Sequence, residues 1–374
     1  MQLYLHIPFC KSKCAYCDFN SYACKDEALI LRYLTALNHE ISLAGKRFAK
    51  AKIDTVYIGG GTPSALAENK ISSVFNALEN SFDLSFVKEF SIECNPESIT
   101  AEKLALYKKH GVNRISIGVQ SLSDENLKII GRLHDANTAI ENIKLAKEFF
   151  DNVSCDLIIG LPFDTIDGVR EEVRTLCPLV EHISMYELSV EKGTRLERMI
   201  QNGKVTLPSD DDTQTLFDTA FNEAEKSGFK RYEVSNFAKN DKISLHNFGY
   251  WTREEYLGFG AGAHSLVKTV DGERKLASET RYANLSKLDE YCAAVEEKKD
   301  YKDIVRESVE TLTEKDVKNE TIMLGLRTHT GINKDLLGEI DDRLSVFFEE
   351  QNGKVRLTRD GVAVMNSILV EILD

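Results

Sequence analysis

The sequence predicts an α/β protein built on a parallel sheet, and three observations predict it. Over the first two-thirds of the 374 residues, short apolar runs alternate with amphipathic helical stretches. The unusual residues follow the apolar runs: Pro8 to Cys17, Gly59-Gly60-Gly61-Thr62-Pro63, Asn95-Pro96, Gln120 and Gly160-Leu161-Pro162. Four of the six prolines lie in those segments and none occurs after Pro208, so the chain changes character there. Strands separated by helices cannot pair as hairpins; they form a parallel sheet.

The elements follow in order. Gln2–Ile7 reads as a strand, and Leu29, Tyr33, Leu37 and Ile41 recur every fourth residue to line one helix face. A strand over 53–58 is broken by the triple glycine, and a helix follows over about 68–82. Glu89–Cys94 is a strand ended by Asn95-Pro96. The helix over 101–110 has Thr100 as N-cap, a basic last turn and Gly111 just beyond its end. Strands over 114–119, 153–161 and 182–188 and helices over 136–150 and 169–180 complete about six βα units. Such a series forms either an open doubly wound sheet or a partial barrel, and both place function at the C-terminal strand ends. Asp210–Lys226 reads as a long helix, and 229–265 is rich in aromatic residues and glycine. Residues 270–300 read as a polar connection. Residues 313–374 read as a small domain with a helix at Leu324-Gly325-Leu326, a strand at Lys354–Leu357 and a last helix near 361–373. The resulting division is 1–230, 231–300 and 301–374.

Composition bounds the function. Hydrophobic residues make up 42% and charged ones 29%, as in an ordinary globular chain with a large core. Sixty acidic against 47 basic side chains leave a net charge of −13, which argues against a nucleic-acid partner. No apolar run reaches the roughly 18–20 residues of a membrane span, so any membrane contact would be peripheral. The N-terminus lacks the pattern of a secretory signal. The eight cysteines are therefore expected to be thiols in a reducing, cytoplasmic setting rather than disulfides. Cys94 and Cys155 fall within strands and read as core, and Cys24 reads as structural.

Cys10-x3-Cys14-x2-Cys17 follows the first strand. Thiolates select zinc, copper(I) or iron–sulfur clusters. A structural zinc wants four ligands, and neither Cys24 nor His6 stands at a familiar zinc spacing. Three thiolates can instead hold a four-iron cluster with one iron left open.

This segment resembles the radical S-adenosylmethionine (SAM) superfamily. Tyr4-Leu5-His6-Ile7-Pro8-Phe9-Cys10 and Cys17-Asp18-Phe19 resemble its coproporphyrinogen-oxidase-like branch, which holds HemN and HemW. Gly59-Gly60-Gly61-Thr62-Pro63-Ser64, Glu93-Cys94-Asn95-Pro96-Glu97, Gly118-Val119-Gln120-Ser121, Gly131-Arg132-Leu133-His134 and Asp156-Leu157-Ile158-Ile159-Gly160-Leu161-Pro162 follow in the family's order. Any one glycine motif is weak; the ordered set is specific and spans nearly the whole chain.

The resemblance implies a partial (β/α)6 barrel with a winged-helix-like, mostly helical C-terminal domain. It implies a 4Fe-4S cluster on Cys10, Cys14 and Cys17, and SAM on the open iron. One electron through the cluster would cleave SAM to a radical, chemistry that belongs to the cofactors. Gly60, Gly61 and Thr62 would let the backbone approach SAM, or simply turn strand into helix. By the same resemblance Glu93 would meet the SAM ammonium, Arg132 its carboxylate, Gln120 and Asp156 the ribose hydroxyls and Tyr16 the adenine, with Tyr4 near the cluster. No catalytic side chain is assigned.

Within the branch, the oxidases place a further cysteine two residues after the last cluster ligand, where this chain has Phe19. They also carry an N-terminal extension, and nine residues precede Cys10 here. His246-Asn247-Phe248-Gly249-Tyr250-Trp251 fits the HNxxYW pattern of the haem chaperones. His246 would then be a haem ligand, with His264 a weaker second candidate, and Tyr250 and Trp251 would stack on the porphyrin or pack the barrel edge. The expectation is a chaperone that binds haem and passes it to an acceptor protein. The alternatives are an oxygen-independent coproporphyrinogen III oxidase-like enzyme and a radical-SAM enzyme for another large substrate. Neither the acceptor nor the electron donor is named by the sequence.

Overall fold

In each early strand apolar side chains alternate with polar or small ones, and the two sets settle on opposite faces of one sheet. The computed structural model describes residues 1–270, 276–338 and 340–373, and its main sheet has 12 strands. These are β1 (Gln2–Ile7), β2 (Thr55–Gly60), β3 (Glu89–Cys94), β4 (Arg114–Gln120), β5 (Val153–Ile159), β6 (His182–Glu187), β7 (Lys230–Arg231), β8 (Asn236–Ala238), β9 (Tyr256–Phe259), β10 (His264–Val270), β11 (Leu276–Asn284) and β12 (Arg306–Leu312). Their order is β12-β11-β10-β9-β1-β2-β3-β4-β5-β6-β8-β7. β9 and β1 to β6 run parallel. β7 and β8 close one edge antiparallel, and β10 to β12 extend the other.

Leu3, Leu5, Ile7, Val56, Ile58, Ile92, Ile115 and Ile117 face outward, fully buried with Leu37 and Ile41 of the helix Glu27–Arg47 and with Ile71 and Val74 of Glu68–Ser81. Inward, Tyr4, Tyr57, Glu93, Ser116, Asp156 and Ser184, one from each of β1 to β6, line a single cavity. A flat sheet cannot bring six adjacent strands round one cavity. The sheet is therefore curled into a partial (β/α)6 barrel, which decides between the two architectures left open by the βα pattern. Thr100 caps the helix Ala101–Lys109 through Lys103 N, and Gly111 takes φ +83° beyond its end, as its sequence predicts.

Two expectations change. The stretch expected as a polar connection over 270–300 contributes β11 and a helix, Leu288–Val295, that buries Tyr291, Cys292 and Val295 in the barrel core. β12 also belongs to the main sheet, so the boundary expected at residue 301 cuts through the sheet's extension. The reason is exposure: β12 turns Val309 and four charged or polar neighbours outward, which lowers its hydropathy to that of a linker. Part of the expected connection, 271–275, lies outside the described residues. The unit after β12 has its own core of Ile322, Leu326, Ile332, Leu357, Met365, Ile368 and Leu369. It combines helix Glu314–Gly325 with a three-stranded antiparallel sheet and two closing helices, Arg359–Ala363 and Met365–Ile372, where one helix is expected. Among the described residues no helix is long and apolar enough to cross a membrane.

Buried charges tie the extension to the barrel. Glu40 is 0% exposed and accepts hydrogen bonds from Gly260 N (2.9 Å), Tyr291 Oη (2.8 Å), Asn284 Nδ2 (2.9 Å) and Arg306 Nη1 (2.9 Å). Removing one partner of such a pair leaves an uncompensated buried charge. Glu40→Ala is expected to lower the unfolding free energy by about 3–5 kcal/mol, read from urea midpoints. A loss below about 1 kcal/mol, the range of an exposed pair, would contradict the network's role.

Candidate cofactor site at the barrel mouth

The loop after β1 is fixed by the chain around it. Phe9–Cys10 pairs with Tyr22–Ala23 in parallel. Ala15 N donates to Ile130 O (2.7 Å), Gly61 N to Ile7 O (2.8 Å) and Thr62 N to Phe9 O (2.9 Å). Cys10, Cys14 and Cys17 are partly buried and all line the same cavity, of 520 Å³. Each sulfur has its own hydrogen-bonding neighbour from a different part of the chain. Thr62 Oγ1 donates to Cys10 Sγ (3.5 Å), Arg132 Nη1 to Cys14 Sγ (3.5 Å), and Ser21 Oγ lies 3.6 Å from Cys17 Sγ. Hydrogen bonds to ligating thiolates are how proteins hold and tune iron–sulfur clusters.

The alternative of a four-ligand zinc loses its fourth ligand. His6 has both ring nitrogens engaged, Nδ1 by Tyr4 Oη (3.0 Å) and Nε2 by Asn20 O (2.8 Å). Cys24 does not line the cavity and its sulfur lies 3.9 Å from Asp26 O. Among the described residues no three His, Cys, Asp or Glu side chains converge on one ion. A cluster needs no such convergence, because its cysteines sit on separate irons. The three-thiol set therefore fits a four-iron cluster with one open iron. Cys94, Cys155, Cys177 and Cys292 are buried free thiols, in line with the core reading of the first two.

The other expected residues gather around this loop, several with a partner the sequence does not disclose. Gly60 has φ +115°, and a Cβ there would meet the His6 ring at 2.6 Å. A Cβ on Gly61 would lie 3.0 Å from Cys10 Sγ. Both glycines are thus required by the chain's own packing before any ligand arrives. Glu93 accepts from Tyr57 Oη (2.8 Å) and Gly60 N (2.9 Å). Arg132 is already occupied: besides Cys14, Nη2 donates to Asn95 Oδ1 (2.9 Å) and to the Gly118 carbonyl, which leaves Nε buried without a partner. Gln120 sits at a bulge in β4 with φ +71°, a strained conformation for a side-chain-bearing residue and one that recurs at functional sites. Burial raises the Asp156 carboxyl, opposed by a hydrogen bond from Ser184. Tyr4 and Tyr16 line the cavity as well.

His246 lies at the opposite end. Helix Leu245–Trp251 crosses the N-terminal ends of the strands, where Gln2 Nε2 donates to Leu245 O (3.4 Å). Glu89 fixes it: its carboxylate accepts from Leu245 N (2.8 Å) and His246 N (3.1 Å), a negative charge on a helix N-terminus. The HNxxYW segment thereby forms the barrel floor. Both ring nitrogens of His246 are engaged, Nδ1 with Thr55 Oγ1 (2.8 Å) and Nε2 with Tyr250 Oη (3.0 Å). Burial, aided by the Arg114 charge, lowers its pKa to about 3, so the ring is neutral. Trp251 does not line the cavity; it lies 5.9 Å from the Arg327 guanidinium of the C-terminal unit. His264 is exposed on β10, and it too lies outside the cavity lining.

Arg114, Tyr57, His182 and Tyr186 line the cavity but escape a motif-based reading. Their signal is the period-two alternation Glu89-Ser91-Glu93, Arg114-Ser116-Gly118 and His182-Ser184-Tyr186, which marks a polar face inside otherwise apolar strands.

Fold and thiol loop together define a radical SAM protein. The model of the radical SAM superfamily matches residues 4–176. A protein named haem chaperone HemW from Bacillus subtilis (strain 168) is 36% identical over 343 residues, 90% of this chain and 86% of that one. The mitochondrial radical S-adenosyl methionine domain-containing protein 1 of Bos taurus is 32% identical over 393 residues, 99% of this chain and 87% of its own. The solved coproporphyrinogen III oxidase HemN of Escherichia coli superposes with a TM-score of 0.82 over 100% of this chain and 89% of that one, at 22% identity, which shows a shared fold. The chain belongs to the radical SAM superfamily and, within it, to the HemW family. Its cofactors are accordingly a 4Fe-4S cluster and SAM, which supply one-electron chemistry when bound. The chain's own part is to hold three sulfurs, orient their hydrogen-bond donors and shield the lumen from water.

Two outcomes follow from this geometry. Anaerobically prepared protein is expected to contain four irons per chain, and replacement of Cys10, Cys14 and Cys17 by Ala to abolish iron and sulfide; normal content in that variant would sink the cluster assignment. Burial raises Glu93 from 4.5 to about 7. Between those values the folded chain keeps a proton that the unfolded chain has released, so stability falls as pH rises from about 4.5 to about 7 and then levels. Glu93→Gln stays neutral and is expected to flatten that slope in urea titrations across the window; an unchanged slope would contradict it.

Proposed function

We propose that the protein is a haem chaperone: it binds haem in the barrel lumen and passes it to an acceptor protein in the cytoplasm, with the cluster and SAM held at the mouth. The observation that carries this is a cavity running from the thiol loop to a neutral imidazole at the floor, with large apolar side chains at its mouth. Phe19 is 63% exposed and Tyr186 44%, and both line the cavity. Exposed apolar side chains grouped at an opening mark a binding surface, and a porphyrin is a flat apolar ligand. The opening also gives it a way out to an acceptor. That a relative 36% identical over 90% of this chain is named a haem chaperone supports the same reading.

In this proposal His246 ligates the haem iron. Neutral imidazole is the ligating form, and Nε2 is held only by Tyr250, one helical turn away. Rotation of that tyrosine side chain exposes the nitrogen to the cavity. At the mouth, Glu93 takes the SAM ammonium, Arg132 its carboxylate, Gln120 and Asp156 the ribose, and Tyr16 the adenine, while Tyr4 and the Gly60-Gly61-Thr62 turn shape the space beside them. For an oxidase-like reading only the shared fold speaks.

Anaerobic titration of cluster-loaded protein with haem and with coproporphyrinogen III separates the readings. Stoichiometric haem uptake is expected, lost in His246→Ala. In Tyr250→Phe it should tighten by roughly 2–10-fold, because the competing hydrogen bond is gone. Formation of protoporphyrinogen instead would overturn the chaperone proposal.

A further inference from the structure

Arg114 has no part in the cluster site or the proposed iron ligation, yet it is among the most buried large side chains of the protein. It opens β4 at the floor end of the barrel, is 2% exposed and lines the cavity. Among the described residues its side chain makes no ion pair and no hydrogen bond, and Nε is buried without a partner. Buried guanidinium groups are ordinarily paired, since an unpaired buried charge is costly.

The surrounding carboxylates stabilise its charge, Glu89 foremost, but make their hydrogen bonds elsewhere. Glu89 serves the floor helix through Leu245 N and His246 N. Glu93 is held by Tyr57 and Gly60. Burial raises the Asp156 carboxyl, opposed by a hydrogen bond from Ser184 and by the charges of Arg114 and Arg132. The floor imidazoles offer no negative charge: His182 is bonded to Ser154 Oγ (2.7 Å) and Tyr232 Oη (2.8 Å), and burial together with Arg114 keeps it neutral. What remains is a buried planar fork of donors that lines the cavity and feels the charges of Glu89 and Asp156 without a hydrogen bond to either. Such a fork matches a carboxylate in two parallel hydrogen bonds.

We infer that Arg114 is the anchor for a carboxylate group of a ligand in the lumen, separate from the SAM carboxylate at Arg132. The carboxylate has two possible sources. One is a porphyrin propionate, in which case the inference rests on the haem reading above; the other is a small free carboxylate.

The test uses full-length, cluster-loaded protein, Arg114→Met and Arg114→Lys, with haem, haem dimethyl ester and succinate as probes. If a propionate is bound, wild type prefers haem over the diester by roughly tenfold or more. Arg114→Met then binds both at the diester level, and Arg114→Lys falls between. If a small carboxylate is bound, succinate raises the melting temperature of wild type and leaves that of Arg114→Met unchanged. Arg114→Met also removes the charge that Glu89 and Asp156 face, so it is expected to melt lower than wild type without ligand, and binding is read below its transition. Arg114→Lys keeps that charge and separates lost binding from lost fold. Equal haem affinity in wild type and Arg114→Met together with no succinate effect would overturn the inference. Should wild type bind no haem at all, the chaperone proposal fails, and the succinate comparison alone decides for or against Arg114.

Discussion

Everything in this molecule depends on a constraint within single strands: neighbouring side chains must serve opposite environments. Leu3 and Leu5 lie in the apolar layer under the helices, while Tyr4 between them faces the lumen. Ile115 and Ile117 do the same around Ser116. A slip of one residue in any strand would turn polar groups into the helix layer and empty the lumen of its chemistry. Register is therefore strongly specified. The polar face in turn brings Tyr57, Glu93, Arg114, Asp156 and His182 round a common space.

A polar lumen has to be closed at one end. Glu89 does this by holding the N-terminus of the helix Leu245–Trp251, far along the chain, against β3. The same carboxylate also stabilises the Arg114 charge across the floor without a hydrogen bond to it. The acids of the barrel thus make their hydrogen bonds locally and leave the guanidinium without one.

At the mouth, polar groups of separate motifs are shared. Thr62, Arg132 and Ser21 each approach one cysteine sulfur, and Asn95 bridges Arg132 Nη2 and Thr62 Oγ1. The motifs that stand apart in sequence are therefore one hydrogen-bonded shell around the thiol loop. Arg132 shows what the fold adds to a motif: its residue type suits a ligand carboxylate, and its position also braces Cys14.

By itself the sequence determined the βα order, the helix caps, the cysteine loop and the set of motifs at the strand ends, because these rest on local periodicity, local turn chemistry and short spacings. It also held the polar alternation that marks the lumen, although apolar content dominates those strands on first reading. Only the tertiary structure decided that the sheet curls, since curvature depends on how six strands pack together. It alone placed His246 at the floor with both nitrogens engaged, joined β9 to β1 in parallel and drew β10 to β12 into the sheet. Half-exposed strands carry too few apolar residues to announce themselves. Whether a buried charge finds a hydrogen-bonded partner is likewise a matter of distances between strands, which is why Arg114 reads in sequence as an ordinary strand residue and in the fold as a buried cation whose Nε has no partner.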